Sequence, residues 1–355
     1  MNHLKQIAAK LADYQLDALL VTSEPGEYYA TGFHGEGYVL ITPNKNYYST
    51  DSRYIEAAAA IEGVELTSIN AGKSHLELTV EHVQADGIKA LGIEDGYMSV
   101  AEFGRIRAAL PGDVELVPAQ KLLTDLRARK DEEELGYMRR AQECTDKAFT
   151  EILNFIKPGV TEQEIAARLT YLMMSFGARK NSFDPIVASG PNGSMPHAIP
   201  TERKIQTGEF VTMDFGCMYE GYCSDMTRTV CVGEPTEEME KVYNTVLAAQ
   251  KAGIAIAKAG VPGCDIHNAA HDVIRAAGYG EYFGHGFGHS LGLEIHEDPG
   301  ARASNKEPMP LHCTVSAEPG IYLPGRFGVR IEDVVFLTED GCIDITNSPK
   351  ELIKL

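Results

Sequence analysis

Apolar residues at Leu4, Ile7, Ala8 and Leu11 recur at helical spacing, so the chain opens on an amphipathic helix that leads into a strand over residues 17–22. Down to about position 124, short apolar runs at 18–22, 38–41, 47–50 and 90–94 alternate with helical stretches such as 54–61 and 100–110. That alternation predicts an α/β domain of roughly 120 residues. Its chemistry is thin. His75 and His82 lie seven apart, a spacing that suits one exposed helix face better than a ligand pair.

A charge run from Asp125 to Glu134 then opens a long helix expected to reach Ile156. It reads as a linker and a solvated face, which divides the chain into domains 1–125 and 126–355. Lys157-Pro-Gly-Val stops that helix, and Thr161-Glu-Gln-Glu164 is a capping box that starts another, ended by Gly177. Lys157, Gly159, Val160, Ile165 and Gly177 recur as Lys258, Gly260, Val261, Ile266 and Gly278, each at an offset of 101. The echo predicts two pseudo-symmetric helix-helix-sheet halves, with a site in the cleft between them.

Between the two copies, residues 212–229 form the most informative stretch. Runs rich in Val, Thr, Met and Phe flank Tyr219-Glu220-Gly221, which predicts a β-hairpin with a tight turn. Asp214 and Asp225 are equidistant from a turn centred between Tyr219 and Glu220, so they are expected opposite each other on one side of the sheet. Like charges placed that way destabilise a strand pair and call for a cation or a shared proton.

Further polar candidates follow. His285-Gly-Phe-Gly-His289 is Gly-rich, which lets imidazoles approach a ligand closely, and His296 comes next. A short apolar strand delivers Glu318 at a Pro-Gly break, and residues 328–336 read as one strand carrying Arg330 and Glu332 on one face. Taken singly, each has a bland explanation; Glu332, for instance, could pair with Arg330. His267 and His271 lack the glutamate of a zinc-binding helix and are set aside, and Met173-Met174 reads as core.

Taken together, Asp214, Asp225, His289, Glu318 and Glu332 are hard ligands suited to a pair of divalent ions such as Mn(II), Co(II), Fe(II) or Zn(II). Four carboxylates balance two dications and leave a bridging water acidic enough to serve as hydroxide near neutral pH.

Composition narrows the partners. The chain is 44% hydrophobic and 23% charged, an ordinary globular balance, and its net charge of −19 offers nothing to offset phosphate repulsion. Nucleic acid and anionic membrane surfaces are therefore excluded as partners. No run approaches the ~18 apolar residues of a membrane span, and the N-terminal helix does not read as a signal peptide. Seven scattered cysteines without a C-x-x-C pair suggest reduced thiols in a cytoplasmic protein.

The motifs MDFG, SDMTRT, GHGFGHSLGLEIHE, AEPGIY and VRIEDVV resemble the signature of the pita-bread metallopeptidases, and within them the Xaa-Pro branch of aminopeptidase P and the Xaa-Pro dipeptidases (prolidases). The resemblance covers 130–355 specifically. Over the N-terminal half it is weaker, where 28–33, 50–54 and 91–94 are similar to a creatinase-type N-terminal domain. It implies an α+β chain, a small α/β domain followed by a pita-bread domain of two pseudo-symmetric halves.

The resemblance further implies that Asp214 chelates one ion, His289 and Glu318 the other, and Asp225 and Glu332 bridge them. Glu318 would also shuttle a proton. His197 would sit near the leaving group, His296 would stabilise the oxyanion, and His285, Tyr322 and Arg330 would complete the pocket, with Arg330 orienting the bridging Glu332. His34 would cap a neighbouring subunit's site, as a histidine does in some prolidases, or be an ordinary loop residue.

The implied enzyme is a cytoplasmic homodimer using two ions, Mn(II) first, to cleave short peptides before proline. Proline specificity comes from the resemblance alone. Methionine aminopeptidases share the five ligands but usually lack the N-terminal domain. Creatinase and non-enzymatic binding members of the fold lack the complete set found here.

Overall fold

The computed structural model describes residues 2–69 and 72–355 and divides into two compact units, Met1–Arg127 and Ala128–Leu355. In the first, six strands form one mixed sheet in the order Glu65–Ser68, Asn46–Thr50, Gly37–Ile41, Ala18–Val21, Ala90–Ile93, Glu115–Pro118. Gly37–Ile41 runs antiparallel to both its neighbours, and the other neighbouring pairs are parallel. The two outermost strands escape the apolar pattern because they are edge strands, only partly buried, and mix Glu, Thr and Ser with Leu and Val.

Leu4, Ile7 and Leu11 are buried, as the opening periodicity requires. The helix expected over 54–61 is confined to Ile55–Ala58, whereas the later one forms as Val100–Ala109. His75 and His82 do share the helix His75–Ala85, but not as an exposed face. Each is half-buried and stacks on a sheet tyrosine, His75 on Tyr38 at 5.1 Å and His82 on Tyr47 at 3.8 Å.

The second unit has two halves, each a helix pair against strands. Capping boxes at Asp131/Glu134 and Thr161/Glu164 start the helices Glu132–Ile152 and Glu162–Ser175. The first of these ends four residues short of Ile156. The second pair is Glu237–Ile256 and Gly263–Ala276. The echo at an offset of 101 is conformational as well as sequential. Gly159 and Gly260 both have positive φ, as do Gly177 and Gly278.

In the first half the helices pack on the antiparallel strands Ile186–Ser189, Glu209–Phe215 and Met226–Val232 around Phe149, Ile165, Leu169, Met173, Met213 and Val230. In the second they pack on Thr314–Ala317, Asp333–Leu337, Gly320–Leu323 and Phe327–Arg330 around Val242, Val246, Ile266, Ile274, Val315 and Val329. Burial of each such side chain contributes about 1.5–3 kcal/mol, so either core fixes its strands firmly. The strand ends and breaks that face the cleft carry the polar candidates.

The charge run 125–134 is not a uniformly solvated face. Arg127, Lys130 and Glu134 are buried. Glu134 accepts from the Tyr222 hydroxyl at 2.6 Å, and Lys130 forms a buried pair with Glu297 at 3.1 Å.

Candidate metal centre

The hairpin turns on Glu220-Gly221, with φ of 44° and 78°, between the paired Tyr219 and Tyr222. Two consecutive left-handed residues make the two-residue turn whose twist matches the strands, and Gly takes the second position without a Cβ penalty. This turn is centred one residue later than expected, so Asp214 lies opposite Thr227 rather than Asp225. Asp225 instead falls in the break between Tyr222–Cys223 and Met226–Val232. Standing two residues from Thr227, it keeps the same side of the sheet as Asp214.

Glu318 follows the strand Thr314–Ala317 directly, and its Oε1 accepts from Ser316 Oγ at 3.1 Å. Residues 328–336 are not one strand. Phe327–Arg330 pairs with Gly320–Leu323, Asp333–Leu337 pairs with Thr314–Ala317, and Glu332 sits in the break between them. Thr227 holds it there on both sides: the Glu332 N–H donates to the Thr227 carbonyl at 3.1 Å, and the Thr227 hydroxyl donates to Glu332 Oε2 at 2.6 Å.

Arg330 does not pair with Glu332. Its Nη2 meets Asp214 Oδ2 at 2.6 Å, and its Nε donates to the Thr227 hydroxyl at 3.0 Å, so it reaches Glu332 only through Thr227. Nη1 donates to the Tyr322 oxygen at 2.8 Å. The chain continues to His285. A backbone carbonyl can only accept, so the 2.9 Å contact to Gly286 O places the proton on Nδ1 and leaves Nε2 to accept from Tyr322 at 3.0 Å. Burial pushes the Tyr322 hydroxyl up to about 12, keeping it a donor.

The same logic fixes His289. Its Nδ1 lies 3.0 Å from the Ser290 carbonyl and must donate, so Nε2 presents a lone pair. That lone pair faces Glu318 Oε1 at 3.4 Å and Asp225 Oδ2 at 3.6 Å. Ligand atoms of Asp225, His289 and Glu332 all fall within 4.8 Å of one another. Burial first, and then the charges of Asp214 and Glu318, push the Asp225 carboxyl well above its ordinary range. Glu332 is raised likewise by burial and then by Asp225. Burial also raises Glu318 and depresses His289.

Acceptors thus converge on acceptors, and Asp214 Oδ1 is buried with no hydrogen-bond partner among the described residues. Such an arrangement calls for cations or for shared protons to offset the repulsion. The donor set, all carboxylate and imidazole, fits divalent ions.

These residues line a cavity of about 1160 Å³ together with His197, His285, His296, Tyr322 and Arg330. His296 is exposed to the cavity and meets the edge of His289 at 4.4 Å. Phe183, Pro185, Ile186, Ile199 and Ile295 form an apolar wall. The predicted residue His34 and the two histidines set aside above sit elsewhere. His34 belongs to the first unit, where its ring stacks on Tyr28 at 3.7 Å, and His267 and His271 pack around Phe283 on the helix Gly263–Ala276.

Two contributors escaped sequence reasoning. Thr227 was visible only as a strand residue, though its place in SDMTRT marked it. Lys130 was absorbed into the charge run, yet its partner Glu297 adjoins His296 and lines the cavity.

This fold, with its cleft of acidic and imidazole donors, defines a metallopeptidase of the pita-bread type. The chain belongs to metallopeptidase family M24, whose model matches residues 136–339, and residues 3–129 match the creatinase/prolidase N-terminal domain. It is 34% identical to the Xaa-Pro dipeptidase of Pyrococcus horikoshii, over 99% of this chain and 98% of that protein. Among solved structures, the Xaa-Pro dipeptidase from Bacillus anthracis superimposes with a TM-score of 0.95 at 40% identity, covering 99% of both chains. The X-Pro aminopeptidase from Thermotoga maritima gives 0.91 at 37%, covering 96% of this chain and 98% of that one.

Proposed function

We propose that this metallopeptidase hydrolyses the bond between an N-terminal residue and proline, using two divalent ions held by Asp214, Asp225, His289, Glu318 and Glu332. The observation that carries this is the convergence of four carboxylates and the His289 Nε2 lone pair on one cavity, with Asp214 Oδ1 buried there and without a hydrogen-bond partner among the described residues. Bound there, the ions supply an acidified water and polarise the scissile carbonyl.

The protein's own groups do the rest. Glu318 takes a proton and returns it to the departing nitrogen, a role suited to a carboxyl raised by burial. His296 donates to the oxygen that gains charge at the carbonyl. His197 stands at the leaving-group side of the cavity. The relay Arg330–Tyr322–His285 holds Asp214 and the pocket wall in register. The apolar wall of Phe183, Ile199 and Ile295 offers a proline ring the contact it needs.

Mn(II) is the proposed ion, with Co(II), Zn(II) and Fe(II) as competitors for the same hard donors. The working enzyme is a homodimer in the cytoplasm, where its seven free cysteines suit a reducing compartment.

The deciding experiment is hydrolysis of an Xaa-Pro dipeptide and a matched Xaa-Pro-Yaa tripeptide after chelation and readdition of each ion. Chelation should abolish cleavage and Mn(II) should restore it. Cleavage of the dipeptide alone identifies a dipeptidase, and preference for the tripeptide an aminopeptidase P. Cleavage of neither by metal-loaded protein rejects the proline specificity.

His34 is proposed to limit substrate length from the neighbouring subunit. His34→Ala should then raise tripeptide turnover relative to dipeptide, and an unchanged ratio would reject the role.

A further inference from the structure

Outside the metal-facing set, one fully buried carboxylate holds both ends of the loop that carries His197. Glu162 is the first residue of the helix Glu162–Ser175, where the helix dipole favours negative charge. Its Oε1 accepts from Ser189 N at 2.7 Å, Ser189 Oγ at 2.8 Å and Asn192 Nδ2 at 3.1 Å. Its Oε2 accepts from Thr201 Oγ1 at 2.6 Å, Thr201 N at 3.0 Å and again Asn192 Nδ2 at 3.1 Å. Ser189 and Thr201 bracket the loop, so a single carboxylate closes it.

His197 needs such a frame. Its ring is exposed in the cavity and takes part in no hydrogen bond with another described residue, so its position is set by backbone alone. The middle of the loop is fixed separately. Arg330 Nη1 donates to Pro196 O at 3.2 Å, and a Cβ on Gly328 would fall 2.0 Å from Gly193 O, so only glycine allows that approach. At the loop ends the Gln163 N–H donates to Thr201 O at 3.2 Å and Arg203 Nη1 to Ser189 Oγ at 2.6 Å, and Glu162 is the one group that holds both ends at once.

We propose that Glu162 is a positioning residue for the reaction: by clamping Ser189, Asn192 and Thr201 it fixes the backbone from which His197 addresses the substrate. The inference rests on the Xaa-Pro reading of the site for what His197 does. The clamp itself does not depend on that reading.

The test is Glu162→Gln in the Mn(II)-loaded full chain. Gln keeps the shape but turns an NH₂ group toward donors. The expected loss is on the order of 10²-fold in kcat, the cost of a small misplacement of a reacting group, with metal content and KM little changed. In a His197→Ala background the same substitution should cost less than about 3-fold, because the group it positions is gone. An equal loss in both backgrounds, or a loss of metal, overturns the proposal.

Hydrogen–deuterium exchange reads the clamp without any substrate. Uptake across 189–201 should quicken in Glu162→Gln while 209–230 stays unchanged, and identical uptake overturns the clamp. Failure of the wild-type protein to cleave Xaa-Pro peptides would reject the substrate reading and leave the exchange result to decide the clamp. Should Glu162→Gln not fold, Asn192→Ala and Thr201→Val each remove part of the donor set. Both should give smaller losses with the same dependence on His197, and losses independent of His197 overturn the proposal.

Discussion

Asp225→Asn is expected to cost activity well beyond the ~10–100-fold that loss of a supporting outer partner costs a metal site, and to lower the bound-ion content measured by elemental analysis. The substitution is nearly isosteric but removes one negative charge from a buried set and turns an amide toward the His289 lone pair, which lies 3.6 Å from Asp225 Oδ2. Full occupancy with full activity would show that Asp225 is not a ligand.

The metal-free proteins should show the opposite order. Burial, Asp214 and Glu318 raise the Asp225 carboxyl in the folded state, so its ionised form opposes folding. A group raised in this way binds more protons folded than unfolded. The metal-free wild type should therefore lose stability as pH rises from the ordinary carboxylate range toward the raised folded value. Metal-free Asp225→Asn escapes that loss and should melt at or above the metal-free wild type near neutral pH. Ion addition should then stabilise the wild type much more than the variant.

Arg228→Met is expected to destabilise the protein by about 3–5 kcal/mol, the range for breaking a buried ion pair from one side. Arg228 and Asp333 have side chains 1% and 0% exposed and meet at 2.7 Å. The same guanidinium donates to the carbonyls of Thr227 at 2.9 Å, Glu332 at 2.5 Å, Ser348 at 2.7 Å and Pro349 at 2.9 Å. It thus stitches the strands Met226–Val232 and Asp333–Leu337 to the C-terminal segment and fixes the backbone of Glu332.

For a unit of this size the melting temperature should fall on the order of 10 °C. Activity should fall with it, since Glu332 and Thr227 lose a shared anchor. The double variant Arg228→Met/Asp333→Leu should recover part of the stability, because an uncompensated charge is then no longer buried. A loss below about 1 kcal/mol for the single variant would mean that Lys350 and Gln250, which also contact Asp333, suffice to hold it.

Much of the site is legible in the sequence. Hard donors at Asp214, Asp225, His289, Glu318 and Glu332 are a matter of residue type, and their occurrence together, each on a strand or Gly-rich loop, points to divalent ions. The capping box at Thr161, the strands expected at 18–22 and 38–41 and the repeat at an offset of 101 are equally local, set by side chains a few residues apart. Turn register was less secure. Glu220-Gly221 could take two left-handed residues, and that preference moved the turn one residue from the symmetric position and Asp225 off its expected partner.

The sequence by itself therefore determined the chemistry on offer and the elements that carry it. Only the tertiary structure decided who faces whom. Arg330 met Asp214 across 116 residues rather than Glu332 two residues away, because the chain breaks between strands at Glu332. Lys130 left its charge run for Glu297, 167 residues on, and Glu162 proved to be a clamp as well as part of a capped helix start. Periodicity and turn chemistry act over a few residues and can be read along the chain. Burial of a charge requires a partner, and packing brings that partner from wherever the two halves fold together.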